Sequence, residues 1–229
     1  MESKEKVERA IKDLKQGKFV LIYDADAREK ETDLIISAEF ALPESIKTMR
    51  KDGGGLIVLM VASEIASKLK LPYMVDMYDK IKDMYPILDS LYPNDIPYDS
   101  KSSFSLSINH RETFTGITDI DRSLTARRFA QISKLEDPLS TFGKEFRSPG
   151  HVPICIAARD LLKERKGHTE LSVALLKMAH LTPVALGCEM MGDDGKSLSK
   201  DDALRYAKRH RLTFLEGEEI EEVWREWSE

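Results

Sequence analysis

The sequence predicts an α/β (α+β) fold, a single domain spanning residues 1–229 in which a mixed β-sheet is flanked by helices. Three observations predict it. Short apolar runs of strand length (FVLIY, LIVLMVA, VPICIAA and PVALGCEM) alternate with segments of helical period. Hydrophobic residues make up 41% of the 229 residues, enough for one substantial core. No repeat, low-complexity tract or linker divides the chain.

The elements follow in order. Val7, Ala10, Ile11 and Leu14 fall on one helical face, and Gly17 stops that helix. FVLIY (Phe19–Tyr23) is a buried strand that runs into the acidic stretch DADAREKETD, and LIISAEF resumes an extended run. PESIKTMRK, with Pro43 in its first turn, is a helix that DGGG (Asp52–Gly55) breaks. LIVLMVA (Leu56–Ala62) is a fully buried strand, and SEIASKLK a short helix. Residues 71–100 mix prolines, tyrosines and aspartates without a sustained period, which suggests a long loop or helical insertion covering something. SSFSLSIN turns Phe104, Leu106 and Ile108 inward as a half-buried strand, and Ser123 caps the helix LTARRFAQIS. RSPGHV (Arg147–Val152) holds a turn at Pro149 and Gly150 before the apolar run VPICIAA. Thr169 caps ELSVALLKMA, PVALGCEM is a strand, and DDG (Asp193–Gly195) turns the chain. A Ser-x-x-Asp capping box at Ser199 and Asp202 opens a helix, and LTFL and EEIEEVWREW close the fold as strand and helix.

Composition excludes several function classes. A formal net charge of −5 argues against a general nucleic-acid binder, which needs clustered excess Lys and Arg. No apolar run approaches the ~20 residues that span a bilayer, and the N-terminus is charged and amphipathic, so a cytoplasmic protein with no membrane partner is expected. Cys155 and Cys188 sit in apolar surroundings without metal-ligand spacing, so buried reduced thiols are expected.

Four polar clusters end apolar runs. DADAREKETD places five carboxylates in ten positions; like charges so close need a solvated turn or a counter-ion to relieve them. Hard oxygen ligands suit Mg2+ or Mn2+. In RKGHTE, Arg165, Lys166, the flexible Gly167 and Thr169 at a helix start would cradle one phosphate, with His168 free to ligate a metal; an ordinary cap with two solvated cations fits the segment equally. His151 after its turn and Glu189 at a strand end are acid–base candidates with ordinary structural alternatives, and His110, His180 and His210 carry no assigned chemistry. Together the clusters suit a phosphorylated sugar whose adjacent carbonyl and hydroxyl oxygens chelate a divalent ion, stabilising an enediolate while a carboxylate or histidine removes a carbon-bound proton.

The string D-x-D-x-R-E-x-E-x-D, followed by R-S-P-G-H-V, G-H-T-E and C-E-M-M-G-D-D-G, closely resembles the 3,4-dihydroxy-2-butanone 4-phosphate synthase family. YPNDIPYDSKSSFSLSINHR and TFTGITDIDR resemble its archaeal, single-domain form, and the likeness runs from about residue 5 to 220. The resemblance implies a lyase of riboflavin biosynthesis that converts D-ribulose 5-phosphate to L-3,4-dihydroxy-2-butanone 4-phosphate and formate. It also implies magnesium and a homodimer with active sites near the subunit interface. By motif, Glu29 and His168 are the metal ligands. Arg28, Glu29, Asp33, Glu189 and the loop Arg165, Lys166, Gly167, His168 and Thr169 match substrate-binding positions, with the loop on the phosphate. His151 and Glu189 match positions needed for activity; Asp24 and Asp26 match acidic loop positions for proton transfer or orientation, and Glu31 the loop's second glutamate. Two departures stand out: Asp26 replaces a glutamate frequent in bacterial members, and Val58 stands where many relatives have cysteine, so no thiol at position 58 can be essential.

Two alternatives remain at this level. Another metal-dependent sugar-phosphate isomerase or aldolase would share the enediolate but not the carbon loss. A non-catalytic phosphate-binding protein would have lost a ligand or acid–base residue, yet Glu29, His151, His168 and Glu189 are all present.

Overall fold

The computed structural model of the chain describes residues 1–228. Its first half runs α1 (Glu2–Lys15), β1 (Val20–Tyr23), β2 (Thr32–Ser37), α2 (Pro43–Asp52), β3 (Val58–Val61), α3 (Ser63–Lys68), α4 (Met74–Ile81), α5 (Ile87–Ser90) and β4 (Phe104–His110). The second half runs α6 (Asp119–Ile132), α7 (Leu139–Glu145), β5 (Phe146–Ile156), α8 (His168–Met178), β6 (Val184–Glu189), α9 (Lys200–His210), β7 (Thr213–Glu216) and α10 (Gly217–Ser228). The strands form one mixed sheet in the order β4-β5-β3-β6-β2-β1-β7. β3–β5 and β1–β7 are parallel pairs; the other neighbours are antiparallel.

Alternation along the strands feeds two faces. Val20, Ile22 and Ile35 enter the main core, whereas Leu21 and Leu34 join a smaller cluster with Met190 and with Ala203 and Ala207 of α9. α8 is apolar on most sides and lies buried between the sheet and the α1–α10 pair, with Leu171, Val173, Ala174, Leu175 and Leu176 shut off from solvent. Its central placement delivers its N-terminus to the middle of the sheet, where β2 begins and β6 ends. α1 forms as its spacing predicts: Val7, Ala10 and Leu14 are buried, and Gly17 takes a left-handed φ of +69° just beyond the helix. Pro43 opens α2, and Ser199 caps α9, accepting from the Asp202 N–H at 3.2 Å. Cys155 and Cys188 are buried free thiols.

Several local expectations are corrected. β2 ends at Ser37, the last residue with a partner on β6, and Ala38–Phe40 form a 3-10 turn rather than more strand. Leu56 is not part of a buried strand; it is half-exposed and borders a cavity. In β4 a register shift between Phe104 and Ser107 breaks the alternation, so Phe104 is exposed while Ser105 is buried and donates to the Pro72 carbonyl at 2.6 Å. α6 starts earlier than expected, with Thr118 as its cap, and Ser123 sits inside it, donating to the Ala41 carbonyl at 2.7 Å. RSPGH is not a turn but the first half of β5. Gly150 is there for close approach, since a Cβ on it would lie 2.0 Å from the Ile108 carbonyl carbon. Gly167, not Thr169, occupies the N-cap of α8.

Residues 71–100 do include helices, α4 and α5, and large apolar side chains in and around α5 are exposed: Met84, Tyr85, Ile87, Leu91 and Tyr92. The end of the segment returns over the cavity at the start of α8.

Candidate active site

The site is built where three features meet: the acidic loop between β1 and β2, the facing ends of β2 and β6, and the start of α8. Asp24 organises the loop. Its Oδ2 accepts the Glu29 N–H at 2.9 Å, its Oδ1 the Glu31 N–H at 3.1 Å, and its own N–H donates to the Glu31 carbonyl at 3.2 Å. This closure turns Glu29 toward α8, where its Oε2 lies 3.3 Å from His168 Nδ1. The other ring nitrogen, Nε2, is 3.2 Å from the Glu31 carbonyl and 3.6 Å from Asp33 Oδ1. Ligand atoms of Asp24, Glu29 and His168 all lie within 4.8 Å of one another.

Glu170 fixes the start of α8. It is fully buried; one carboxylate oxygen accepts the Ala158 N–H at 2.8 Å, and the other takes the Gly167 N–H at 3.3 Å and Arg165 Nη1 at 2.6 Å. Gly167 leaves room for that guanidinium, since a Cβ there would lie 2.3 Å from Arg165 Nη1.

Electrostatically the site is overloaded with carboxylates. Asp33 on β2 and Glu189 on β6 are direct cross-strand partners, a like-charge pair that is unfavourable in a sheet. Burial pushes the Asp33 carboxyl up to about 7, against the pull of His168. Burial followed by the neighbouring Glu29 charge also raises Glu189, and burial with Glu189 and Glu29 raises Glu31. Burial alone would raise Glu29 as well, but the His168 hydrogen bond and the Arg28 and Arg165 charges hold it below its ordinary value. For His168 burial favours the neutral ring, yet Asp33 and Glu29 outweigh it and push the imidazole up to about 10. Asp33 Oδ1 is buried and accepts no hydrogen bond. A carboxylate-rich set with one imidazole and an orphaned buried oxygen fits a hard divalent cation.

A cavity of about 290 Å³ adjoins this cluster, bordered by Glu29, Asp33, His168, Thr169, Arg165 and Glu189. Most residues singled out from the sequence therefore converge. Arg28 does not border this cavity itself but joins the cluster through its side chain, with Nη1 at 3.4 Å from Asp24 and 3.3 Å from Glu29. Three residues do not join the cluster. Asp26 is exposed and accepts from the Tyr23 hydroxyl at 2.5 Å. Lys166 is exposed and pairs with Glu221 of α10. His151 is exposed on β5, with Nδ1 3.1 Å from the Asn109 amide; it lies four residues before the cavity-lining Cys155, about 13 Å along a strand.

Two residues of the site escaped sequence reasoning. Glu170 had a readable signal, a glutamate three positions after the residue preceding a helix. Asp99 had none: its carboxylate meets Arg28 and Arg165, which are 71 and 66 positions away in sequence.

Comparison with known proteins agrees with this geometry. The family model described as 3,4-dihydroxy-2-butanone 4-phosphate synthase matches residues 8–223. A protein of that name from Methanothermobacter thermautotrophicus is 50% identical over 222 residues, covering 96% of each chain. Among solved structures, a cation-free 3,4-dihydroxy-2-butanone 4-phosphate synthase superposes with a TM-score of 0.78 at 27% identity, covering 97% of this chain and 98% of that one. Another, in complex with two magnesium ions, gives 0.75 at 29% identity over 93% and 94%. A family match over nearly the whole length, with half the residues identical to a relative of equal extent, means that the chain belongs to the 3,4-dihydroxy-2-butanone 4-phosphate synthase family.

Proposed function

We propose that residues 1–229 act as one domain converting D-ribulose 5-phosphate to L-3,4-dihydroxy-2-butanone 4-phosphate and formate, in the cytoplasm, as a step of riboflavin biosynthesis. The observation that carries this reading is the juxtaposition of Glu29 and His168, 3.3 Å apart, with Arg165 and Thr169 on the same cavity wall. Glu29 and His168 would hold Mg2+, with Mn2+ an acceptable substitute, and Asp24 orients the loop that presents Glu29. When bound, the ion supplies Lewis acidity to neighbouring carbonyl and hydroxyl oxygens of the sugar.

The remaining work falls to the chain. Arg165, Thr169 and the free N–H groups at the start of α8 receive the phosphate, with Gly167 allowing the approach and Lys166 adding positive charge from outside. Arg28 and Asp33 orient the substrate. Asp33, raised to about 7, can hold a proton near neutral pH, and Glu189, which burial and the Glu29 charge raise above its ordinary value, stands opposite it to exchange protons with the carbon and oxygen centres of the substrate. Asp26, at the mouth of the acidic loop, orients it through Tyr23. His151 stands away from its own chain's cavity, which suits a homodimer in which it reaches the partner's site and exchanges protons there.

The test is to incubate the protein with ribulose 5-phosphate and Mg2+ and assay formate. Stoichiometric formate, abolished by a chelator, is expected. An aldose or a cleavage product without formate would replace this reading with that of an isomerase or aldolase.

A further inference from the structure

The segment between α5 and β4 crosses the mouth of the cavity, and side chains alone hold it. Among the described residues, no main-chain hydrogen bond involves residues 95–101. The principal anchor is Asp99. Its carboxylate receives Arg165 Nε at 3.0 Å and Nη2 at 2.6 Å, a bidentate pair, and Arg28 Nη2 at 2.9 Å. Lesser ties are Tyr98 beneath the Arg28 guanidinium, 5.3 Å from the ring centre, and Lys101 over Tyr73 at 3.9 Å. With Glu170 on Nη1, each of the three Arg165 nitrogens donates to a carboxylate. The segment also has space on both sides. Tyr98, Asp99, Lys101, Ser102 and Ser103 border the cavity of about 290 Å³ on one face and a second cavity of about 370 Å³ on the other. That second cavity is walled by Tyr73, Leu162, Lys163 and Glu164.

We propose that Asp99 is a carboxylate plug that occupies the phosphate's place between Arg28 and Arg165, and that a phosphate monoester displaces it, swinging residues 95–101 into the second cavity. This deepens the proposed function and rests on its placing the phosphate at Arg165. A planar fork such as Arg165 presents matches carboxylate and phosphate alike. Asp99 brings one negative charge and two acceptor oxygens to the two guanidiniums, whereas a phosphate monoester brings nearly two charges and three oxygens. The exchange is therefore favourable for phosphate and unfavourable for neutral sugars, which cannot compete for the cations. The plug keeps two guanidiniums paired in the empty site and makes opening conditional on a dianion. Its cost is a lowered apparent affinity, because only the opened fraction binds.

The test uses the full chain and inorganic phosphate as probe, with titration calorimetry on wild type and Asp99→Asn. The variant is expected to bind phosphate at least about fivefold more tightly, since the amide keeps the shape but gives up the ionic grip. Equal or weaker binding by the variant would overturn the plug and make Asp99 a support for Arg165. A measurement on unmutated protein guards against a misfolded variant. Saturating phosphate should speed tryptic cleavage after Lys101, whose side chain lies over Tyr73 while the segment is held, and unchanged or slowed cleavage contradicts displacement. Formate release by wild type separates the two claims. Tighter phosphate binding by the variant without turnover in wild type keeps the plug and removes the lyase reading; turnover in wild type with weaker phosphate binding by the variant does the reverse.

Discussion

The start of α8 and the segment 92–101 face the same cavity and carry charges into it, but they are supported in opposite ways. His168, Thr169 and Glu170 are 5%, 5% and 0% exposed, on a helix packed between the sheet and α1–α10. Tyr92 and Tyr98 are 45% and 43% exposed, and Asp99 is held only through its carboxylate. One wall is set by burial and main-chain hydrogen bonds, the other by a few ion pairs that a ligand can replace. Groups that must hold a cation in fixed geometry belong on the first kind of wall. Groups that must move to admit a substrate belong on the second.

Glu29→Gln and His168→Ala each remove a group from the fixed wall and should lower formate release by about a thousandfold or more, read as kcat under saturating substrate. Loss confined to KM would move these residues out of the chemistry.

Thiol reactivity reports on the fixed wall without mutation. Burial pushes the Cys155 thiol up to about 12 and the Cys188 thiol up to about 11, so at pH 8 both are held as thiols, and thiolate appears only as pH rises. Iodoacetamide should label the native protein about three orders of magnitude more slowly than a free cysteine, gaining roughly tenfold per pH unit between 8 and 10. Rapid labelling at pH 8 would show that this wall opens.

Stability should divide in the same way. Glu170→Ala leaves the Ala158 and Gly167 N–H groups and the Arg165 guanidinium short of an acceptor, and should cost about 3 kcal/mol in urea unfolding. Leu91→Ser, on the exposed side of the moving wall, should stay within about 0.5 kcal/mol.

A smaller signal tests the placing of His151 across a dimer. Equal mixtures of Glu29→Gln and His151→Ala, each inactive alone, should recover about a quarter of wild-type activity after subunit exchange, since half the dimers are mixed and each holds one intact site. No recovery would return His151 to its own chain's chemistry.

Much of this was legible in the sequence because its causes are local. The buried strands, α1 with its Gly17 stop, Pro43 at the start of α2 and the Ser199 cap follow from period, propensity and capping within a few residues. The site's carboxylates and His168 were legible because they end apolar runs. What failed depended on distant partners. Ser123 resembles a cap in the sequence because its hydrogen bond to Ala41, 82 positions away, leaves no trace nearby. Alternation points Phe104 inward because it carries no sign of the register shift beside it. Gly150 suggested a turn, although its role is to let two strands approach. Asp99 read as one more loop aspartate because the two arginines that hold it come from separate motifs.

The central claim, that Glu29 and His168 grip one divalent ion, is tested most directly by pulsed electron paramagnetic resonance of Mn2+ bound to the full chain. The account predicts a nitrogen coupling from an imidazole that disappears in His168→Ala, with Mn2+ bound at least about tenfold more weakly in that variant and in Glu29→Gln. Mn2+ held with unchanged affinity in both variants, or showing no nitrogen coupling in the wild type, would contradict it.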